Sequence, residues 1–205
     1  MKKFKLTSEF IVDISGVKLF RIKALIEFGN VKAGDLGGYI EKEENLSHMG
    51  NAWVSGNAQV SGDARVFGDA RVFGNARVFV DARVFGNARV FVDAQVFGNA
   101  RVFGDARVFG NARVFGNAQV SGDAQVFGDA RVSGDKDYAY AHGFGSCNRT
   151  TTFFRLKDGD VGVRCGCFYG TLAQFRDNVC ETHGETKKAQ EYLMLADLMD
   201  FRFKN

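Results

Sequence analysis

Asn51-Ala52-Trp53-Val54-Ser55-Gly56 opens a stretch that runs without insertion or deletion to Gly134, and each six residues of it repeat one phrase, Asn/Asp-Ala-Arg/Gln-Val-Phe/Ser-Gly. Valine falls at Val54, Val60, Val66 and every sixth position to Val132, so the stretch holds fourteen hexads. A period this strict marks a repeat architecture. Six residues are too few for the helix pairs of tetratricopeptide or ankyrin arrays, and a period of about 3.6 does not fit an Ala-x-Val core. A short strand and a corner do fit. Ala70 and Val72 stand two apart, so on an extended segment they face one way and Arg71 the other. Phe-Gly-Asn/Asp supplies the corner, because Gly accepts positive φ and Asn or Asp bonds back to local backbone. Three such sides close a triangular coil of about eighteen residues, and coils stack roughly 4.8 Å apart. Fourteen hexads then make between four and five coils.

An aliphatic residue followed four positions later by a small one, as in Val66 and Ala70, resembles the signature of the hexapeptide-repeat left-handed parallel β-helix. The handedness is implied by the resemblance, since parallel crossovers are otherwise right-handed. The chain departs from the family's enzymes just after the aliphatic position, which is often small or acidic there and is Phe in ten of the fourteen hexads here, from Phe67 to Phe127. Leu19-Phe20-Arg21-Ile22-Lys23-Ala24-Leu25, Gly34-Asp35-Leu36-Gly37-Gly38 and Asn51-Ala52-Trp53-Val54 also resemble the opening of phage and prophage hexapeptide-repeat proteins filed as polymer-forming or acyltransferase-like. Gly145-Ser146-x-Asn148, Gly166-Cys167-Phe168-x-Gly170-Thr171-Leu172 and Thr182-His183-Gly184 extend that resemblance through the C-terminal part. The expected fold is mainly β, a left-handed parallel β-helix with a small α+β C-terminal cap. Its expected divisions are 1–50 (strands and a first irregular coil), 51–134 (regular hexads) and 135–205 (cap).

Lys plus Arg exceed Asp plus Glu by three, 27 against 24, which gives no reason to expect nucleic acid or an anionic membrane as partner. No apolar run approaches the roughly 20 residues of a membrane helix, and Met1-Lys2-Lys3 leads into no secretory core, so a cytoplasmic location is expected. Cys147, Cys165, Cys167 and Cys180 all lie in the last third and are expected to be free thiols.

Before the repeat, Phe4-Lys5-Leu6 and Val17 to Ile22 alternate apolar and polar around Ile14-Ser15-Gly16, which predicts a hairpin or two short strands. Gly34-Asp35-Leu36-Gly37-Gly38 ends in neither Gly-Lys-Ser/Thr nor GxGxxG, so it predicts a tight bend and no phosphate loop. Ile40 and Leu46 start the six-residue rhythm, and a two-residue slip then places Val54. After Gly134, small residues at Ala139, Ala141 and Gly143 predict a degenerate coil. Thr150–Leu156 and Val161–Phe168 predict a β-hairpin across Asp158-Gly159. Thr171 and Thr186 are expected N-caps of two helices, the first stopped by Gly184.

The histidines are His48, His142 and His183, none inside the hexads; His142, near the end of the coils, is the candidate base if the chain is an acyltransferase. Cys165-x-Cys167 with Cys180-x2-His183 is the one ligand set that zinc would accept, although its spacing is not CxxC. No cofactor is expected. Arg65, Arg83 and Arg101 form one outward column, Arg71, Arg89 and Arg107 a second, and Arg77 and Arg113 lie on the third side. Asp69, Asp81, Asp93 and Asp105 are expected to pair with them. Phe73, Phe91 and Phe109, with Phe127, form one of three columns expected to make exposed aromatic edges that stack between coils and drive self-association, a trimer being favoured. The varied polar groups Asn148, Arg149, Arg164, Tyr169 and His183 of the cap are the candidate contacts for a protein partner. The function expected is a non-enzymatic scaffold or protein-binding module, with acyl transfer as the alternative.

Overall fold

The computed structural model describes residues 1–145 and 149–204. The N-terminal segment forms β1 (Phe4–Val12), β2 (Lys18–Ala24) and β3 (Leu36–Ile40), antiparallel in that order. Asp13 closes the first turn, accepting the Ser15 and Val17 N–H groups on Oδ1. The stretch expected to bend at Gly37-Gly38 is instead the strand on which the solenoid starts. Both glycines are there for close approach: a Cβ on Gly37 would stand 2.4 Å from Ile22 Cγ1, and one on Gly38 would stand 2.6 Å from the Ala58 carbonyl oxygen.

Each hexad supplies one two-residue strand, from β4 (Trp53–Val54) to β17 (Arg131–Val132). Equivalent residues eighteen apart pair in parallel register, as in Arg71 with Arg89 and Arg89 with Arg107. The first coil joins with its expected slip: Ile40 pairs with Val60 and Leu46 with Val66, twenty apart, before Val54 meets Val72. The result is a parallel β-solenoid of about five turns with three sides: an eight-stranded sheet β1-β2-β3-β5-β8-β11-β14-β17, a five-stranded sheet β16-β13-β10-β7-β4 and a four-stranded sheet β15-β12-β9-β6. Every Ala and Val of the Ala-x-Val pairs is fully buried, and the Arg between them faces out.

The ladder is biased in direction. The N–H groups of the outward residue and of the residue after Val donate toward the following coil, Arg71 to the Ala88 oxygen at 2.9 Å and Phe73 to the Val90 oxygen at 3.0 Å. The corners turn on glycines at positive φ, for example Gly68 at +70°, where a Cβ would meet the backbone of Gly86 at 3.1 Å. Val80 and Val92 replace that glycine and keep its left-handed backbone, at φ 65° and 63°. For a β-branched residue this conformation costs about 1–3 kcal/mol.

After a 3-10 turn at Asp135–Asp137 the chain forms β18 (Tyr138–Phe144), β19 (Arg149–Arg155), β20 (Val161–Cys165) and β21 (Phe168–Thr171), an antiparallel sheet. The degenerate coil expected over Ala139–Gly143 is therefore corrected: Tyr138 to Ala141 pair antiparallel with Thr151 to Phe154. The expected hairpin is β19–β20. Helices α1 (Leu172–His183) and α2 (Lys187–Phe203) start at Thr171 and Thr186, whose hydroxyls accept the Gln174 and Ala189 N–H groups, and Gly184 ends α1. Leu172, Phe175 and Val179 pack against Ala189, Tyr192, Ala196 and Met199. The cap sits on the solenoid through Phe154 and Tyr138, which join the solenoid core, and through an antiparallel bridge between Ala130 and Leu156. Among the described residues no helix is long and apolar enough to cross a membrane.

Candidate functional site

The outward arginines do not pair as expected. Among the described residues no hexad Arg lies within ion-pair distance of a carboxylate. The reason is register: residues eighteen apart lie over one another, so corner carboxylates meet corner amides. Asn51 Nδ2 donates to Asp69 at 2.7 Å, Asn75 to Asp93 at 3.1 Å and Asn111 to Asp129 at 3.3 Å.

The phenylalanines stack as expected, with ring centroids 4.8 Å apart and planes within 4° for Phe73, Phe91 and Phe109. All ten are half-buried and none is exposed, which corrects the expected apolar edges. Ring faces are covered by the neighbouring rings, and little more than ring edges reaches solvent.

His48 lies beside the first coil along a cleft of about 620 Å³ with Glu43, Arg65 and Arg83. Its Nδ1 accepts the Lys3 N–H at 3.1 Å, its Nε2 stands 3.5 Å from Glu43 Oε2, and its ring stacks on Phe4 at 4.3 Å. A hydrogen bond from Lys2, reinforced by its charge and by His48, holds the Glu43 carboxyl below the usual range. With its Nδ1 lone pair taken by the Lys3 N–H and its buried Nε2 turned to Glu43, His48 has no lone pair directed at a substrate. His142 is exposed on β18 with Nδ1 3.0 Å from Thr150 Oγ1.

The cap holds the more varied chemistry. Arg149, Cys165, Cys167, Asn178, Thr182 and His183 line a cleft of about 390 Å³, over an apolar floor of Phe168, Phe175 and Val179. The turn Gly166-Cys167 joins β20 to β21, and Gly166 lets the Arg149 guanidinium lie across it, since a Cβ there would meet Nη1 at 2.6 Å. His183 stacks on Tyr192 at 5.8 Å. Cys165 is half-buried, 3.2 Å from the Thr151 hydroxyl that donates to it, while Cys167 is exposed on the turn. The two thiols thus occupy a strand end and a turn, and Cys180 is exposed on α1 outside the cleft lining. Among the described residues no group of three His, Cys, Asp or Glu is placed to share a metal ion.

Of the other cap candidates, Tyr169 and Arg164 bind the cap to the solenoid. The Tyr169 ring meets Phe127 edge-on at 4.7 Å, and the Arg164 guanidinium lies 5.6 Å from the same ring. Asn148, like Cys147, lies outside the described residues. Sequence reasoning missed Asn178 and gave Thr182 and Tyr192 no part in a site, Thr182 entering only within Thr182-His183-Gly184; Asn178 and Thr182 stand about one helical turn apart and Tyr192 lies across the α1–α2 packing.

A family model described as the YdcK beta solenoid repeat matches residues 58–72, 94–108 and 106–122. The match covers less than half of the chain and lies within the hexads, so the solenoid repeat is what this chain shares with it. No curated protein matches the chain.

Proposed function

We propose that the chain is a non-enzymatic scaffold in which a stiff solenoid carries the cap, and the cap cleft binds a protein partner. In the phage setting that the resemblance implies, the partner is a host or viral protein, and its capture inhibits host defence. The observation that supports this reading most is the cleft itself. Arg149, Asn178, Thr182 and His183 rim an apolar floor, and among the described residues no carboxylate lines it. That arrangement suits an acidic side chain flanked by an apolar one. Fourteen near-identical hexads offer stiffness and a repeated surface, with little to tell one partner from another.

A pull-down from host lysate with the full chain tests it, comparing Arg149→Ala/His183→Ala with Arg107→Gln on the solenoid wall. The cleft variant should lose the captured protein and the wall variant should keep it. Retention by both would end the cleft reading. The alternative, a hexapeptide-type acyltransferase or degenerate relative, is addressed by the melting temperature with acetyl-coenzyme A. No shift is expected, and a saturable rise would favour the enzyme.

A further inference from the structure

Strand β20 ends at Cys165 and the turn Gly166-Cys167 leads into β21, so two thiols stand one glycine apart on the same cleft. Cys165 faces the helix side of the cap sheet, packed on the core of Phe153 and Val163 beside Phe168. The Thr151 hydroxyl donates to its sulfur at 3.2 Å, and its own S–H is directed to the Tyr192 hydroxyl at 3.8 Å. Cys167 is exposed on the turn, and both thiols are free. The Arg149 guanidinium lies across Gly166, where a Cβ would stand 2.6 Å from Nη1. Among the described residues Arg149 has no carboxylate within ion-pair distance, and no carboxylate lines the cleft. A cation without a counter-charge is thus held at the glycine that separates two groups which become anions on binding a metal.

We propose that Cys165 and Cys167 bind one soft monovalent metal ion of the Cu(I) class as a two-coordinate bis-thiolate. Thiolate ligands suit Cu(I), zinc and iron–sulfur clusters, and of these only Cu(I) is satisfied by two. Zinc takes four ligands, and among the described residues no group of three His, Cys, Asp or Glu is placed to supply them. Residues two apart have Cα atoms within about 7 Å of each other. The sulfurs of a linear centre stand about 4.5 Å apart, twice a metal–sulfur bond of about 2.3 Å. The two Cys χ1 torsions reach that span across a glycine that puts no side chain in the way. On binding, each thiol gives its proton to solvent and each sulfur gives the ion an electron pair, so Cu⁺ and two thiols become a centre of charge −1 and two protons. The ion is neither oxidised nor reduced. Arg149 offsets the new charge, and the Thr151 hydroxyl keeps its hydrogen bond to the Cys165 sulfur, which as a thiolate is the stronger acceptor. The floor of Phe168 and Phe175 limits water at the ion.

The reduced full chain, titrated with Cu(I) buffered by a chromophoric chelator, should withdraw one equivalent, and X-ray absorption should show two sulfur neighbours. Cys167→Ser, on an exposed turn, should lower the affinity about a hundredfold or more with the melting temperature of the metal-free chain unchanged, which separates loss of metal from loss of fold. Cys165→Ser should lower the affinity likewise, and Arg149→Gln should weaken it about fivefold. No copper withdrawn, binding that survives Cys167→Ser, or binding that Cys147→Ser or Cys180→Ser removes equally would overturn the proposal. The inference does not rest on the partner reading. The cysteine variants leave Arg149 and His183 in place, so copper binding and capture of a protein partner fail separately.

Discussion

Phe85 has a ring on each side and Phe103 has one on a single side, and the difference should be measurable. In their column Phe67, Phe85 and Phe103 stack with centroids 4.8 and 5.0 Å apart and planes within 4°, and the next residue up is Ser121. The replacement is Ser, which the repeat itself uses at Ser55, Ser61, Ser121 and Ser133, so the corner backbone tolerates it. Removing a half-buried ring costs roughly 1.5–2 kcal/mol, about half of a fully buried Phe. Each lost ring-on-ring contact adds about 1 kcal/mol. Phe85→Ser should therefore lose about 3.5–4 kcal/mol and Phe103→Ser about 2.5–3. Urea unfolding of the two variants and of the double variant gives the coupling energy, expected near 1 kcal/mol. Equal losses at the two positions, or a double variant that is simply additive, would show that the columns are only half-buried apolar surface and that stacking contributes nothing.

Val90→Asp places a carboxylate in a fully buried column between Val72 and Val108 and should abolish the cooperative fold by circular dichroism, whereas Arg89→Gln, facing out on the same strand, should be nearly neutral. Burial lowers the Lys3 pKa to about 8 from its ordinary 10.5, against the pull of Asp69. In the window between those values the unfolded chain binds the proton and the fold does not, so stability should rise with pH there. Lys3→Met should remove that slope from denaturation curves. A chain ending near Gly134 should precipitate or form fibres on light scattering, since it loses the groups that cover the last coil.

What the sequence reveals about this chain follows from how each feature is encoded. The hexads are legible because one side-chain alternation is repeated fourteen times, and the buried Ala–Val pairs from Ala52 to Val132 follow from it directly. The two-residue slip before Val54 is legible as a break in that rhythm. The fate of the aspartates is not, because it depends on what lies eighteen residues away. Asp93 stands above Asn75 and takes its amide. Strand β18 hides for a related reason: small residues at Ala139 and Ala141 suit a coil or a strand equally, and its pairing with Thr151 and Phe153 is a tertiary choice. The cap cleft depends on α1, β20 and the Gly166-Cys167 turn meeting. Of its lining only Arg149, the cysteines and His183 drew notice as isolated residues. Val80 and Val92 are visible in the sequence as departures from Gly, yet only their φ values show that the left-handed corner is kept.

A bias in the ladder explains why the two ends carry opposite chemistry. In each hexad the outward residue and the residue after Val send their N–H toward the C-terminus, so the first coils are rich in spare carbonyls and the last coil in spare N–H groups. Donors meet the first end. The buried Lys3 ammonium donates to the Gly50 and Ala52 oxygens at 3.2 and 2.8 Å, and Asn45 Nδ2 to those of Gly62 and Ala64 at 3.0 and 2.9 Å. Acceptors meet the last end, where Asp135 takes the Gln119 N–H at 3.0 Å, Thr152 that of Gln125 at 2.9 Å and Asp137 that of Ser133 at 2.9 Å. An uncovered C-terminal end would fit an uncovered N-terminal end of another copy as its natural next coil, which is the open head-to-tail route to a filament. With both ends satisfied by side chains of opposite character, that route is closed.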